Sequence, residues 1–196
     1  MTATKKSEIT RRRILDTGRE LVLKRGFGGV GLKALLETSG VPKGSFYYYF
    51  DSKEAFGCAL LRDYVDGYLE RVDAIFAGPG SAGERLMAFW SAWLGGDAAG
   101  SIADRCLVVK LASEVSDLSE EMRRILDGGV DELAGRIATL LREGAADGSL
   151  RPRDDPETAA RLLYAQWLGA AILAKLSKDR APLAASLEDT RRRLVA

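Results

Sequence analysis

Apolar positions recur at intervals of three and four residues along most of this chain, and almost nowhere in strict alternation, which is the period of helices rather than strands. Between residues 8 and 25, Ile14, Gly18, Leu21 and Val22 share one helical face, and Gly26 is placed to cap it. After Gly28, Gly29 and Gly31 comes a short helix with Leu32, Leu35 and Leu36 inward, stopped by Ser39-Gly40. Val41-Pro42 opens a still shorter helix over 43–49, with Phe46 and Phe50 as its inward residues. Ser52 caps a long helix reaching about Phe76, and Ala77-Gly78-Pro79-Gly80-Ser81 breaks the chain. Helices are predicted over about 84–94, 104–115 and 119–146, with a Gly/Ala loop over 95–103. Asp155-Pro156-Glu157 supplies a cap, a proline at the first position and an acid in the first turn. That helix runs to about Ser177, and a last one covers 181–195. With no strand pattern and no internal repeat, the expected fold is all-α.

The length of 196 residues suits one domain, or a small head on a larger body. The net charge of +1 hides an asymmetry. Residues 1–53 hold eleven Lys and Arg against five Asp and Glu, whereas the rest holds 18 against 23. A basic head on an acidic body fits a head that alone meets a polyanion; a chance cluster of solvated charges is the plainer alternative. The absence of histidine excludes imidazole general bases, serine or cysteine triads that need one, and His-ligated metals. Two cysteines, Cys58 and Cys106, are too few for a disulfide framework or a Cys-rich zinc site. The start is polar and basic without a leader's apolar core, and the longest apolar run, Trp167–Ala174, is far short of a membrane span. The expectation is a soluble, cytoplasmic protein of a reducing compartment, with no cofactor, metal or membrane partner.

Residues 32–50 form a helix, a tight break and a second helix, the pattern of a helix-turn-helix. The second helix, Lys43-Gly44-Ser45-Phe46-Tyr47-Tyr48-Tyr49-Phe50, mixes a cation, a glycine that permits close approach and three tyrosines with hydroxyls for phosphate oxygens. Such a helix fits the major groove of duplex DNA, its N-terminal residues on base edges. Three adjacent tyrosines cannot all point inward, which weighs against an all-core reading. Lys53, in the first turn of the next helix, is a candidate phosphate ligand together with the helix-end N–H groups.

Cys106 stands near a predicted helix start, beside Arg105 and one turn before Lys110. Helix N-termini and neighbouring cations favour a nucleophilic thiolate, although an inert buried cysteine is the commoner fate of a lone one. Cys58, between Gly57 and Ala59, reads as packing. Lys175 shares a face with Tyr164, Leu168 and Ala171, so it either snorkels to solvent or is held for function. Phe89, Trp90, Trp93, Tyr164 and Trp167 are candidates for core, for a ligand pocket, or for part of each.

The block from Arg12 to Lys53, densest over Gly40–Phe50 and Ser52-Lys53-Glu54, resembles the N-terminal domain of TetR-family transcriptional repressors. The resemblance implies a DNA-binding head over 1–52 and a sensing and dimerisation body over 53–196. It also implies a homodimer, joined through its last two long helices, that sets paired helix-turn-helices on palindromic double-stranded operator DNA. It places DNA contacts at Lys43, Gly44, Tyr47, Tyr48 and Tyr49, with Ser45 on the same helix and Lys53 on the DNA backbone. The family commonly has Thr or Ser where Val30 and Gly31 stand here. The likeness continues through Phe46–Leu61, Cys106–Leu111, Glu114–Glu120, Tyr164–Ala170 and Ala174-Lys175. These segments resemble a branch of the family that responds to reactive electrophiles and oxidants, which implies Cys106 as the sensing thiol and Lys175 as its candidate partner. The rival readings are a repressor induced by a non-covalent hydrophobic ligand, a helical enzyme with Cys106 as nucleophile but no histidine base, and a protein-interaction module.

Overall fold

Helix-capping residues recur along the chain at the spacing of helix ends, and the structure begins and ends its helices at most of them. A computed structural model describes residues 3–95 and 101–196, with side chains from residue 7 onward. The helices are α1 (Ala3–Arg25), α2 (Leu32–Ser39), α3 (Lys43–Tyr49), α4 (Lys53–Phe76), α5 (Ala82–Leu94), α6 (Ile102–Arg105), α7 (Leu107–Leu118), α8 (Glu120–Asp147), α9 (Pro156–Ser177) and α10 (Ala181–Leu194). Among the described residues there is no strand, only an isolated antiparallel bridge between Leu150 and Val195. The all-α expectation holds.

The caps explain the boundaries. Gly26 takes a left-handed φ of +76° and its N–H bonds the Val22 carbonyl, closing α1. The Ser52 hydroxyl accepts the Ala55 N–H at 2.9 Å and starts α4. Ser81 and Glu84 form a reciprocal capping box, which starts α5 two residues before the expected helix. Asp155 accepts the Thr158 N–H at the head of α9.

Two expectations change. The first helix begins at Ala3, five residues before the apolar periodicity starts. The single helix expected over about 104–115 is instead two. The Ser101 hydroxyl accepts the Asp104 N–H at 3.1 Å and nucleates α6 inside the expected Gly/Ala loop. Cys106, extended at φ −69° and ψ 112°, then ends α6. Residues 96–100 of that loop lie outside the described residues.

The chain divides into two compact units, residues 1–67 with 110–127, and residues 68–109 with 128–196. In the first, Ile14, Val22, Leu35, Phe46, Phe50, Phe56 and Leu60 are buried, and the rings of Phe46, Phe50 and Phe56 meet at centroid distances of 5.3–5.8 Å. A methyl at Gly18 would drive into the Phe56 ring, so that glycine sets how closely α1 and α4 pack. In the second unit the centre is aromatic: Phe89, Trp90, Trp93 and Trp167 have no exposed surface.

Candidate functional site

The α2–α3 pair is built by its turn. Gly40 is left-handed at φ +63°, which only glycine adopts at little cost, and the Val41 N–H returns to the Leu36 carbonyl. Pro42 then precedes α3 in extended geometry. Phe46 and Phe50 turn inward and hold α3 against α4, which forces the intervening side chains out. Lys43 and Gly44 are exposed, with nothing within 4 Å of the position a Gly44 side chain would take, and Ser45 is half-buried. Tyr47 is 46% exposed and Tyr48 76%, whereas Tyr49 is half-buried beneath the edge of Tyr48, centroids 4.9 Å apart. One face of α3 thus offers an ammonium, an open backbone and phenol groups.

Lys53 makes a contact that the sequence did not suggest. Its ammonium donates to the Phe27 carbonyl at 3.0 Å and lies 4.8 Å above the Phe27 ring, so in this state it fastens the α1–α2 turn. The other half of that fastening was missed in the sequence. Glu114, on α7, accepts the Phe27 N–H at 3.0 Å and the Gly28 N–H at 2.5 Å. A side chain at Gly26 or Gly28 would collide with that carboxylate. No local signal marks Glu114, because its partners lie 86 and 87 residues away. At the head of α2, Gly31 occupies the cap position without a side chain to bond the first turn.

The two thiols differ in setting. Both lie outside any disulfide and are buried. Burial pushes the Cys58 thiol up, and the charge of Glu121 adds to that against the weaker help of Arg62, so this cysteine stays protonated. Cys106 occupies the position just before α7, and its sulfur accepts the Val109 N–H at 3.5 Å. A sulfur in the place of a capping oxygen faces the positive end of a helix. Next to it is Tyr68, whose phenol is raised well above its usual range, first by burial and then by the negative charge of Cys106, against the indole of Trp93 and the charge of Arg71. Two residues upstream, burial alone would raise Asp104, but bonds from Arg180 and Ser101 and the charges of Arg180 and Lys175 bring it below the usual carboxylate range. Lys175 itself is exposed, beside Asp104 on the rim of a cavity.

The five candidate pocket aromatics pack against one another. Trp90 stacks on Trp167 at 4.5 Å and 13°, Phe89 lies 4.6 Å from Trp90, and Trp93 meets Tyr164 edge-on at 6.0 Å. The Trp167 indole donates to the Thr190 hydroxyl at 3.1 Å, whereas the buried indole N–H of Trp90 has no hydrogen-bond acceptor among the described residues. On the opposite side of α9, Leu162, Ile172, Leu173 and Leu176 are exposed at helical spacing. No helix among the described residues is long and apolar enough to cross a membrane, and none of their acidic or cysteine clusters could hold a metal.

Residues 14–56 match the family described as bacterial regulatory proteins, tetR family, and residues 82–189 match the tetracyclin repressor-like C-terminal domain. The HTH-type transcriptional repressor NemR of Escherichia coli (strain K12) is 41% identical over 175 residues, covering 89% of this chain and 88% of its own. The transcriptional regulator AcuR of Cereibacter sphaeroides is 34% identical over 172 residues, 87% of this chain and 78% of its own. The crystal structure of E. coli NemR in its reduced form superposes with a TM-score of 0.87 at 40% identity, over 95% of this chain and 97% of that one.

Proposed function

The chain belongs to the TetR family and is a transcriptional repressor similar to NemR, and on that footing we propose that it leaves its operator when Cys106 is modified by an electrophile or oxidant. Residues 1–52 read the DNA and residues 53–196 sense and dimerise. Lys43, Gly44, Ser45, Tyr47, Tyr48 and Tyr49 meet the major groove of a double-stranded palindromic operator, and Lys53 meets its backbone. The exposed apolar stripe on α9 supports a homodimer, because a solvent-facing row of Leu and Ile at helical spacing is costly unless covered. Two cysteines outside any disulfide fit a cytoplasmic setting.

The observation that carries the reading is the Cys106 sulfur in the capping position of α7. A thiolate there accepts a hydrogen bond and faces the helix dipole, which favours the nucleophilic form. Alkylation by N-ethylmaleimide adds the thiolate sulfur to the ring C=C bond, whose π pair takes a proton from water, and leaves a neutral thioether, a weaker acceptor, so the first turn of α7 loses its cap. The same helix carries Glu114 two turns on, whose carboxylate clasps the turn leading into α2. Lys175, close enough to Asp104 to lower its pKa, is the candidate partner for an oxidised sulfur.

Binding to a fragment of the protein's own upstream DNA tests this, with and without N-ethylmaleimide or hypochlorite, wild type beside Cys106→Ser. Release in the wild type alone is expected. Equal release in both would overturn the thiol switch and favour a second reading, a non-covalent ligand among the aromatics. That reading is supported by the buried N–H of Trp90, which has no acceptor among the described residues and which a ligand oxygen could satisfy.

A further inference from the structure

A half-open cavity of about 250 Å³ lies between α9, α10 and α6, with a floor of Ala171, Ala174 and Leu183. Three of the five charged groups around it are already committed. Arg180 donates to the Asp104 carboxylate and to the Ser101 hydroxyl, and the Asp179 carboxylate accepts the Ala181 N–H at 3.1 Å, fastening the start of α10. The remaining two are Lys175 and Lys178, whose ammonium groups form no hydrogen bond or ion pair among the described residues. The rim therefore carries three cationic groups against two carboxylates, a net charge of +1 above an apolar floor, an arrangement that suits a small amphiphilic anion.

Lys178 adds a second, independent observation. It closes α9 with φ +54°, a left-handed conformation that no other non-glycine residue adopts among the described residues. Glycine makes this cap without strain, whereas a residue with a Cβ does not. The chain accepts that strain and places an ammonium on the cavity rim.

We propose that this cavity binds a small organic monocarboxylate, its carboxylate between Lys175 and Lys178 and its compact apolar body on Ala171, Ala174 and Leu183. At roughly 30 Å³ per water the space equals about eight waters, which limits the ligand to about eight to ten non-hydrogen atoms. The site shares Lys175 with the proposed chemistry of Cys106, but its hold on the carboxylate does not require the thiol.

Isothermal titration calorimetry on the full chain tests the site with benzoate, its neutral analogue benzamide, and sulfate as charge without an apolar body. Benzoate binds, benzamide binds at least tenfold more weakly, and sulfate does not displace benzoate. Lys178→Gly weakens benzoate at least tenfold while raising Tm by about 2–4 °C, because it removes the strain together with the charge. A variant that gains stability cannot have lost the probe by unfolding. Lys178→Arg keeps affinity within about threefold. The proposal is overturned by no benzoate binding, by equal binding of benzamide, by displacement with sulfate, or by unchanged affinity in Lys178→Gly. The same titration in Cys106→Ser gives the same constants, which separates this site from the thiol switch.

Discussion

The aromatic residues of α3 and those of the α5–α9 cluster are the same chemistry put to opposite uses. In α3 two phenylalanines anchor a seven-residue helix, and the rings between them face outward, Tyr48 the most exposed of all. In α5 and α9 the rings of Phe89, Trp90, Trp93, Tyr164 and Trp167 are buried against one another. The contrast follows from length and neighbours. A helix as short as α3 gains little from its own hydrogen bonds and is held by whatever faces its neighbour, which leaves its outer side open to a partner. Rings flanked on every side by other helices contribute packing instead.

That contrast can be broken from either side. The largest effect is expected on the buried side: Trp167→Ala removes the ring stacked on Trp90 and costs about 3–5 kcal/mol of stability in a denaturant titration. A loss below about 1 kcal/mol would mean that the cluster holds ligand space rather than core. Next comes the clasp between α7 and the α1–α2 turn. Glu114→Ala strips the acceptor from two backbone N–H groups and costs about 1–3 kcal/mol, read as faster hydrogen exchange at Phe27 and Gly28. On the exposed side, Tyr48→Ala leaves stability within about 0.5 kcal/mol but lowers operator affinity about tenfold. If unfolding and DNA binding fell together, Tyr48 would belong to the core after all.

Two smaller tests address the surface. Gly31→Ser supplies the missing cap hydroxyl of α2 and raises stability by a few tenths of a kcal/mol, because the site is open and glycine is already a fair cap. At Glu120 the hydrogen bond from Arg123, reinforced by Arg124, holds the carboxyl at about 2 against an ordinary 4.5. A depressed folded value stabilises the fold above the ordinary one, so this contribution is present above pH 4.5 and fades as pH falls toward 2. Glu120→Gln should flatten that part of an acid titration, and an unchanged curve would show the ion pair to be idle.

Most helices were legible because their ends carry chemistry within four residues: Gly26, Gly40, Ser52 and Asp155 mark the boundaries they later form. The outward tyrosines were legible too, since adjacent residues on a helix cannot share one face. The division of α6 from α7 was not, because cysteine is a rare cap and nothing in its neighbours shows that its sulfur takes a backbone hydrogen bond. The hold of Lys53 on the Phe27 carbonyl and the clasp made by Glu114 were not legible either. These last two depend on contacts between distant segments, which no local pattern encodes.

The Glu114 clasp also sets an order in time. On the ribosome the α1–α2 turn emerges 87 residues before the carboxylate that fastens it. At about 5–20 residues per second, the nascent head waits roughly 4–17 s before it can be locked. A truncated product that stops short of α7 would carry the complete α3 surface and lack its fastening. The arrangement thus ties the fastening of the α1–α2 turn to synthesis of the helix that follows Cys106.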